Sequence, residues 1–119
     1  MKKDRNPELL LATNIMKKIY LIIKYAKNKK VKAYILDLSR SGIGFAAIHK
    51  MKKGTNIEIT PKIKLLPELH AEIIYASKIP RKNYNYRTGA RFINLDEKQY
   101  RFLDKFIKKI IKKKRVLKR

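Results

Sequence analysis

From Ile19 onward the apolar and polar residues change places at short intervals, in the two-residue rhythm of strands. Ile19-Tyr20-Leu21-Ile22-Ile23-Lys24-Tyr25 is β-branched and aromatic and predicts a first strand. Asn28-Lys29-Lys30 signals a turn, after which Val31, Ala33 and Ile35 alternate with Lys32 and Tyr34 as the return strand of a hairpin. Ser39 to Gly44 reads as a turn and Ile43 to Ile48 as a third strand. Lys52-Lys53-Gly54 turns the chain again. Ile57, Ile59, Ile63 and Leu65 then share one parity, interrupted by Pro61, which predicts an edge strand or a break there. Residues 69–79 and 86–93 supply two more alternating runs. Six short strands with little helix between them predict a mainly β fold, a small six-stranded antiparallel barrel.

The two ends of the chain follow another rhythm. Asn6 and Pro7 suit the start of a helical turn over residues 7–17. Asn94-Leu95-Asp96-Glu97 predicts the start of a C-terminal helix, with Asn94 as cap and Glu97 three residues on. Tyr100, Leu103, Phe106 or Ile107, and Ile110 recur at helical spacing, a stripe suited to packing on the barrel. No acidic residue follows Asp104, and nine Lys or Arg do. The expected organisation is an N-terminal extension over 1–15, then one domain over 16–119 comprising barrel, C-terminal helix and basic tail.

Composition narrows the chemistry. The 119 residues fit one domain, and the absence of cysteine excludes a disulfide framework or a thiolate metal site. No apolar run is long enough for a transmembrane segment, and Leu9-Leu10-Leu11-Ala12 is too short for a signal peptide. The expected location is the cytoplasm. The formal net charge is +23, which attracts nucleic acid, anionic lipid or acidic proteins. The cations are 24 lysines and 8 arginines, and lysine lacks the planar fork that reads guanine. Solvated charge and weak non-specific binding therefore stand beside RNA or DNA binding. For the latter, Tyr84, Tyr86 and Arg87 would form a rim on which bases stack.

Catalysis finds no foothold. His49 and His70 fall on different predicted strands, outside any metal-ligand spacing. Ser39, Ser41 and Ser77 lack a nucleophile-elbow context, and the nine acids are scattered singly apart from Asp96-Glu97. Neither catalytic residues, a metal nor a cofactor is expected.

The most specific segment is Asp37-Leu38-Ser39-Arg40-Ser41-Gly42-Ile43-Gly44-Phe45. Asp37 and Ser39 end a strand with side chains able to accept from turn N–H groups. Gly42 suits a positive φ, and Gly44 suits close approach of another backbone. Asp-x-Ser-x-x-Gly before an apolar strand resembles the signature of PilZ domains. Met51-Lys52-Lys53-Gly54-Thr55 is similar to that family's turn before its next strand. The run from Tyr86 to Gln99, with Gly89 and Phe92, is similar to its last strand and terminal helix. The resemblance covers roughly residues 16–111 and implies a PilZ-like barrel with a C-terminal α-helix, acting as a non-enzymatic signalling adaptor.

The resemblance also implies a ligand, cyclic di-GMP, and a protein partner in a signalling pathway. In the family an Arg-x-x-x-Arg stretch before the first strand wraps this ligand against the Asp-x-Ser-x-x-Gly surface. Asp37, Ser39 and Gly42 would then form the barrel half of the site, with Arg40 beside the ligand. The matching upstream stretch, Ala12 to Lys18, holds Lys17 and Lys18 but no arginine. Weak or absent nucleotide binding is the expectation that follows.

Overall fold

A computed structural model describes residues 19–117, with side chains through Ile111. The helical turn expected over 7–17, and both Lys17 and Lys18, lie outside the described residues. Six strands follow in order: β1 (Tyr20–Ala26), β2 (Lys29–Leu38), β3 (Gly42–Ala47), β4 (Asn56–Pro61), β5 (Leu69–Lys78) and β6 (Tyr86–Phe92). One helix, α1 (Glu97–Leu117), succeeds them. All strand pairs are antiparallel and close into a barrel in the order β1-β2-β3-β6-β5-β4.

Alternation decides what fills the barrel. Leu21, Ile23, Ala33, Ile35, Phe45, Ile59 and Ile73 point inward and are fully buried. Pro61 ends β4, where its missing N–H costs no ladder bond within the strand. It makes no edge, because β1 pairs with β4 and closes the barrel. The parity expected to continue to Leu65 therefore stops: Ile63 is half-buried and Leu65 is exposed. The first hairpin turns one residue earlier than expected, on Lys27-Asn28, with Asn28 at a φ of 63° and Lys29 already paired to Ala26. His49 lies in the bend after β3 and not on a strand. Gly54, at a φ of 90°, turns the chain under a Thr55 amide to Lys52 carbonyl bond of 3.1 Å.

The terminal stripe packs as expected, with one exception. Leu103, Phe106, Ile107 and Ile110 are buried in the same apolar cluster as the barrel interior. Tyr100 stays exposed. The cap is Asp96, not Asn94. Asp96 Oδ1 accepts from the Gln99 amide at 2.7 Å, and Gln99 Oε1 accepts from the Asp96 amide at 2.9 Å. This reciprocal pair satisfies two backbone donors at the helix start. Asn94 instead takes a left-handed φ of 53° in the preceding corner. Gln99 Nε2 also donates to the Glu68 carbonyl at 2.8 Å, anchoring the helix start beside β5.

Candidate functional site

Two β-bulges build the surface around the Asp-x-Ser-x-x-Gly motif. Strict alternation from Val31, Ala33 and Ile35 would turn Asp37 into the barrel. The register of β2 against β3 slips between Ile35 and Asp37, so Asp37 faces outward opposite Gly44. A second slip in β5, between Ile73 and Tyr75, turns Tyr75 outward opposite Gly89. Gly44 and Gly89 are themselves opposite each other in the β3–β6 ladder. Asp37, Gly44, Gly89 and Tyr75 thus form one row across four strands.

The middle of that row carries no Cβ, and the outer side chains lie over it. A Cβ on Gly44 would stand 2.6 Å from an Asp37 carboxylate oxygen, and one on Gly89 would collide with the Tyr75 ring. Arg87, on the same face as Gly89, ties the two ends together. Its Nη2 donates to Asp37 Oδ2 at 2.5 Å and its Nε to the Tyr75 hydroxyl at 3.3 Å. Burial works against the Arg87 charge, but the Tyr75 hydroxyl and the Asp37 carboxylate outweigh it and hold the guanidinium above its ordinary value.

The turn itself is ordered by Ser39. Its amide donates to the Gly42 carbonyl at 2.9 Å, and its Oγ accepts from the amides of Ser41 and Gly42 at 3.3 and 3.2 Å. Two glycine expectations are corrected. Gly42 does not adopt a positive φ; it is glycine because β6 passes over it. A Cβ there would stand 2.5 Å from the Ala90 carbonyl oxygen and 3.3 Å from Arg91 Cα. Gly44 makes room for a carboxylate, not for a backbone. Since both obstacles at Gly42 are main chain, Gly42→Ala must part β3 from β6. The expected loss in chemical denaturation is about 1–3 kcal/mol, the usual cost of overpacking. An unchanged midpoint and slope would show that the strands yield freely.

Arg40, expected beside a ligand, points to the helix instead. Its Nε donates to Asp104 Oδ1 at 2.5 Å, and Lys108 Nζ lies 3.1 Å from Asp104 Oδ2. Hydrogen bonds from Arg40 and Lys108 hold the Asp104 carboxyl below its ordinary range. Of the predicted site residues, the structure brings together Asp37, Ser39 and Gly42 and turns Arg40 away. Arg87, Tyr75 and Asp104 enter as their partners. The proposed rim of Tyr84, Tyr86 and Arg87 is divided: Arg87 is paired with Asp37, while the Tyr84 ring packs edge-on against Tyr34 with centroids 4.8 Å apart.

The comparisons bear on the family and the fold. The family model for the PilZ domain matches residues 16–109. The chain belongs to the PilZ family. Among solved structures it is similar to the PilZ domain with c-di-GMP of YcgR from Escherichia coli. The identity is 22%, the TM-score 0.65, and the match covers 82% of this chain and 84% of that one. Comparison with curated proteins gives no match. The shared PilZ fold accounts for the closed six-stranded barrel and its terminal helix. Among the described residues of this PilZ domain, no helix is long and apolar enough to cross a membrane.

Proposed function

We propose that this PilZ domain is a non-enzymatic signalling adaptor of the cyclic di-GMP-receptor type. Its own affinity for the nucleotide is weak or absent, and it acts through a protein partner in the cytoplasm. The observation that carries this reading is the Arg87–Asp37 ion pair. A carboxylate able to receive a guanine edge already holds a guanidinium, so a ligand must displace that charge before it can bind. Arg40 is engaged in the same way by Asp104. Upstream, the stretch that matches the family's arginine motif, Ala12 to Lys18, holds Lys17 and Lys18 but no arginine. An ammonium meets a phosphate as a point charge but does not read the O6 and N7 of guanine together.

The neighbouring YcgR domain carries c-di-GMP in its own structure, which makes that nucleotide the ligand to test. Calorimetry should compare the wild type with an Asp37→Ala, Ser39→Ala double variant. Weak or undetectable binding by both is expected. Submicromolar binding by the wild type, lost in the variant, would make the domain a direct receptor and overturn the reading.

A further inference from the structure

We propose that the outer face of the β1–β2 hairpin, with Tyr84 laid against it, is a binding strip for single-stranded nucleic acid. Bases would rest on the tyrosine rings and phosphates on the lysines around them. Tyr20 and Tyr34 are direct cross-strand partners, their ring centroids 6.2 Å apart at 62°. Tyr84 arrives from the β5–β6 loop and meets Tyr34 at 4.8 Å and 79°. It does so with a φ of 53°, a conformation that a bulky residue adopts only when its surroundings impose it. The loop therefore holds backbone strain at the residue that completes the aromatic cluster. None of these rings fills the barrel, whose interior is aliphatic around Phe45.

Cations surround the rings. Lys32 Nζ stands 4.3 Å from the Tyr20 centroid and 5.4 Å from that of Tyr34. The Tyr34 hydroxyl beside it holds Lys32 above its ordinary pKa. Lys24 and Lys30 form the next outward pair along the same hairpin. Lys62, exposed, donates its amide to the Tyr20 carbonyl at 3.0 Å. The outer face of β1, β2 and β4 holds two acids, Glu58 opposite Lys24 and Asp37, which is paired with Arg87.

Aromatic faces on rigid strands, interleaved with cations, suit unpaired bases on a charged backbone. Lysines alone would also attract an anionic membrane, but insertion into it is favoured by projecting aliphatic groups. The exposed ones, Ile48, Leu65 and Ile74, lie off this hairpin. The strip borders the Asp37 surface through Ala46 and Arg87 but takes no contact from Asp37 or Ser39, so it does not rest on the cyclic di-GMP reading.

The test uses the full chain and a fluorescein-labelled oligouridylate of roughly 12 nucleotides, with oligothymidylate of the same length, followed by anisotropy across a salt series. Both strands are expected to bind. If the four lysines each meet one phosphate, the log–log salt slope should be about −3. Tyr34→Ala and Tyr84→Ala should each weaken binding by about 5- to 150-fold, the effect of losing one stacked base. Tyr34→Phe should retain affinity, and Lys32→Ala should flatten the slope by about 0.7. Inorganic polyphosphate should bind the wild type and Tyr34→Ala alike. In the Asp37→Ala, Ser39→Ala background, Tyr84→Ala should weaken oligonucleotide binding by the same factor as in the wild type. Circular dichroism checks folding, and Tyr84→Ala, in a loop, carries the test if Tyr34→Ala misfolds. Equal oligonucleotide affinity for wild type and Tyr84→Ala would overturn the proposal. So would tyrosine-dependent binding to phosphatidylglycerol vesicles without binding to either oligonucleotide.

Discussion

Leu103→Ala is expected to lower stability by about 2–5 kcal/mol, the range for removing a buried leucine and leaving part of its cavity behind. Leu103 is fully buried at the centre of the α1 stripe, in one cluster with the barrel interior. Its loss strikes the contact that seats the helix. Single domains hold about 5–15 kcal/mol in total, so this fraction is large. The midpoint of thermal unfolding should fall by roughly 10–30 °C for a domain of this size. Asp104, the next residue, should release Arg40 as the helix loosens. Arg40→Ala alone should cost at most about 1 kcal/mol, since the ion pair is partly exposed. Thermal denaturation of both variants separates packing from charge. A loss below about 1 kcal/mol for Leu103→Ala would mean that the helix is not part of the cooperative unit.

The second large effect should appear in the opposite direction, as a gain. Thr13→Arg with Lys17→Arg restores an Arg-x-x-x-Arg spacing within the upstream stretch that resembles the family's ligand clamp. A bidentate arginine on a guanine edge is worth about 1–3 kcal/mol. Two such contacts, if additive, raise affinity for cyclic di-GMP by about 30-fold to more than 10⁴-fold. Removing the competing ion pair with Arg87→Leu should raise it further, because Asp37 is then free. Calorimetry on the single, double and triple variants measures each step. If folded double and triple variants still fail to bind, the barrel half of the site is incompetent, and the arginines are not what this domain lacks.

The strands were legible because each has one face in the barrel, and burial imposes the period. Val31, Ala33 and Ile35 needed nothing beyond their spacing. The site was legible only as a motif. Its geometry depends on two bulges, and a bulge is a single unpaired residue that leaves no compositional mark. Extending the alternation past Ile35 puts Asp37 on the wrong side of the sheet, and extending it past Ile73 misplaces Tyr75. The partner of Asp37 lies 50 positions away on β6, a distance over which no local pattern operates. The cap moved from Asn94 to Asp96 for a similar reason. Both residue types cap helices well, and the choice fell to the tertiary corner that forces Asn94 into a left-handed φ.

The strand order has a consequence for how the chain reaches its native state. β3 finds its second neighbour only in β6, joining Gly42 to Arg91 and Ala47 to Tyr86. β1 finds its second neighbour only in β4. Both pairings close long loops, so loop entropy must be overcome before either is rewarded, and folding of such topologies is slow. While it waits, a β1–β2–β3 meander has two open edges, each able to template a strand from another molecule. Lys24, Lys30 and Lys32 project from that meander, and the whole chain carries a net charge of +23. Two such intermediates repel each other before their edges can meet. Whatever its ligand, a chain with this charge would resist edge-to-edge pairing with its own copies before β4 and β6 are in place.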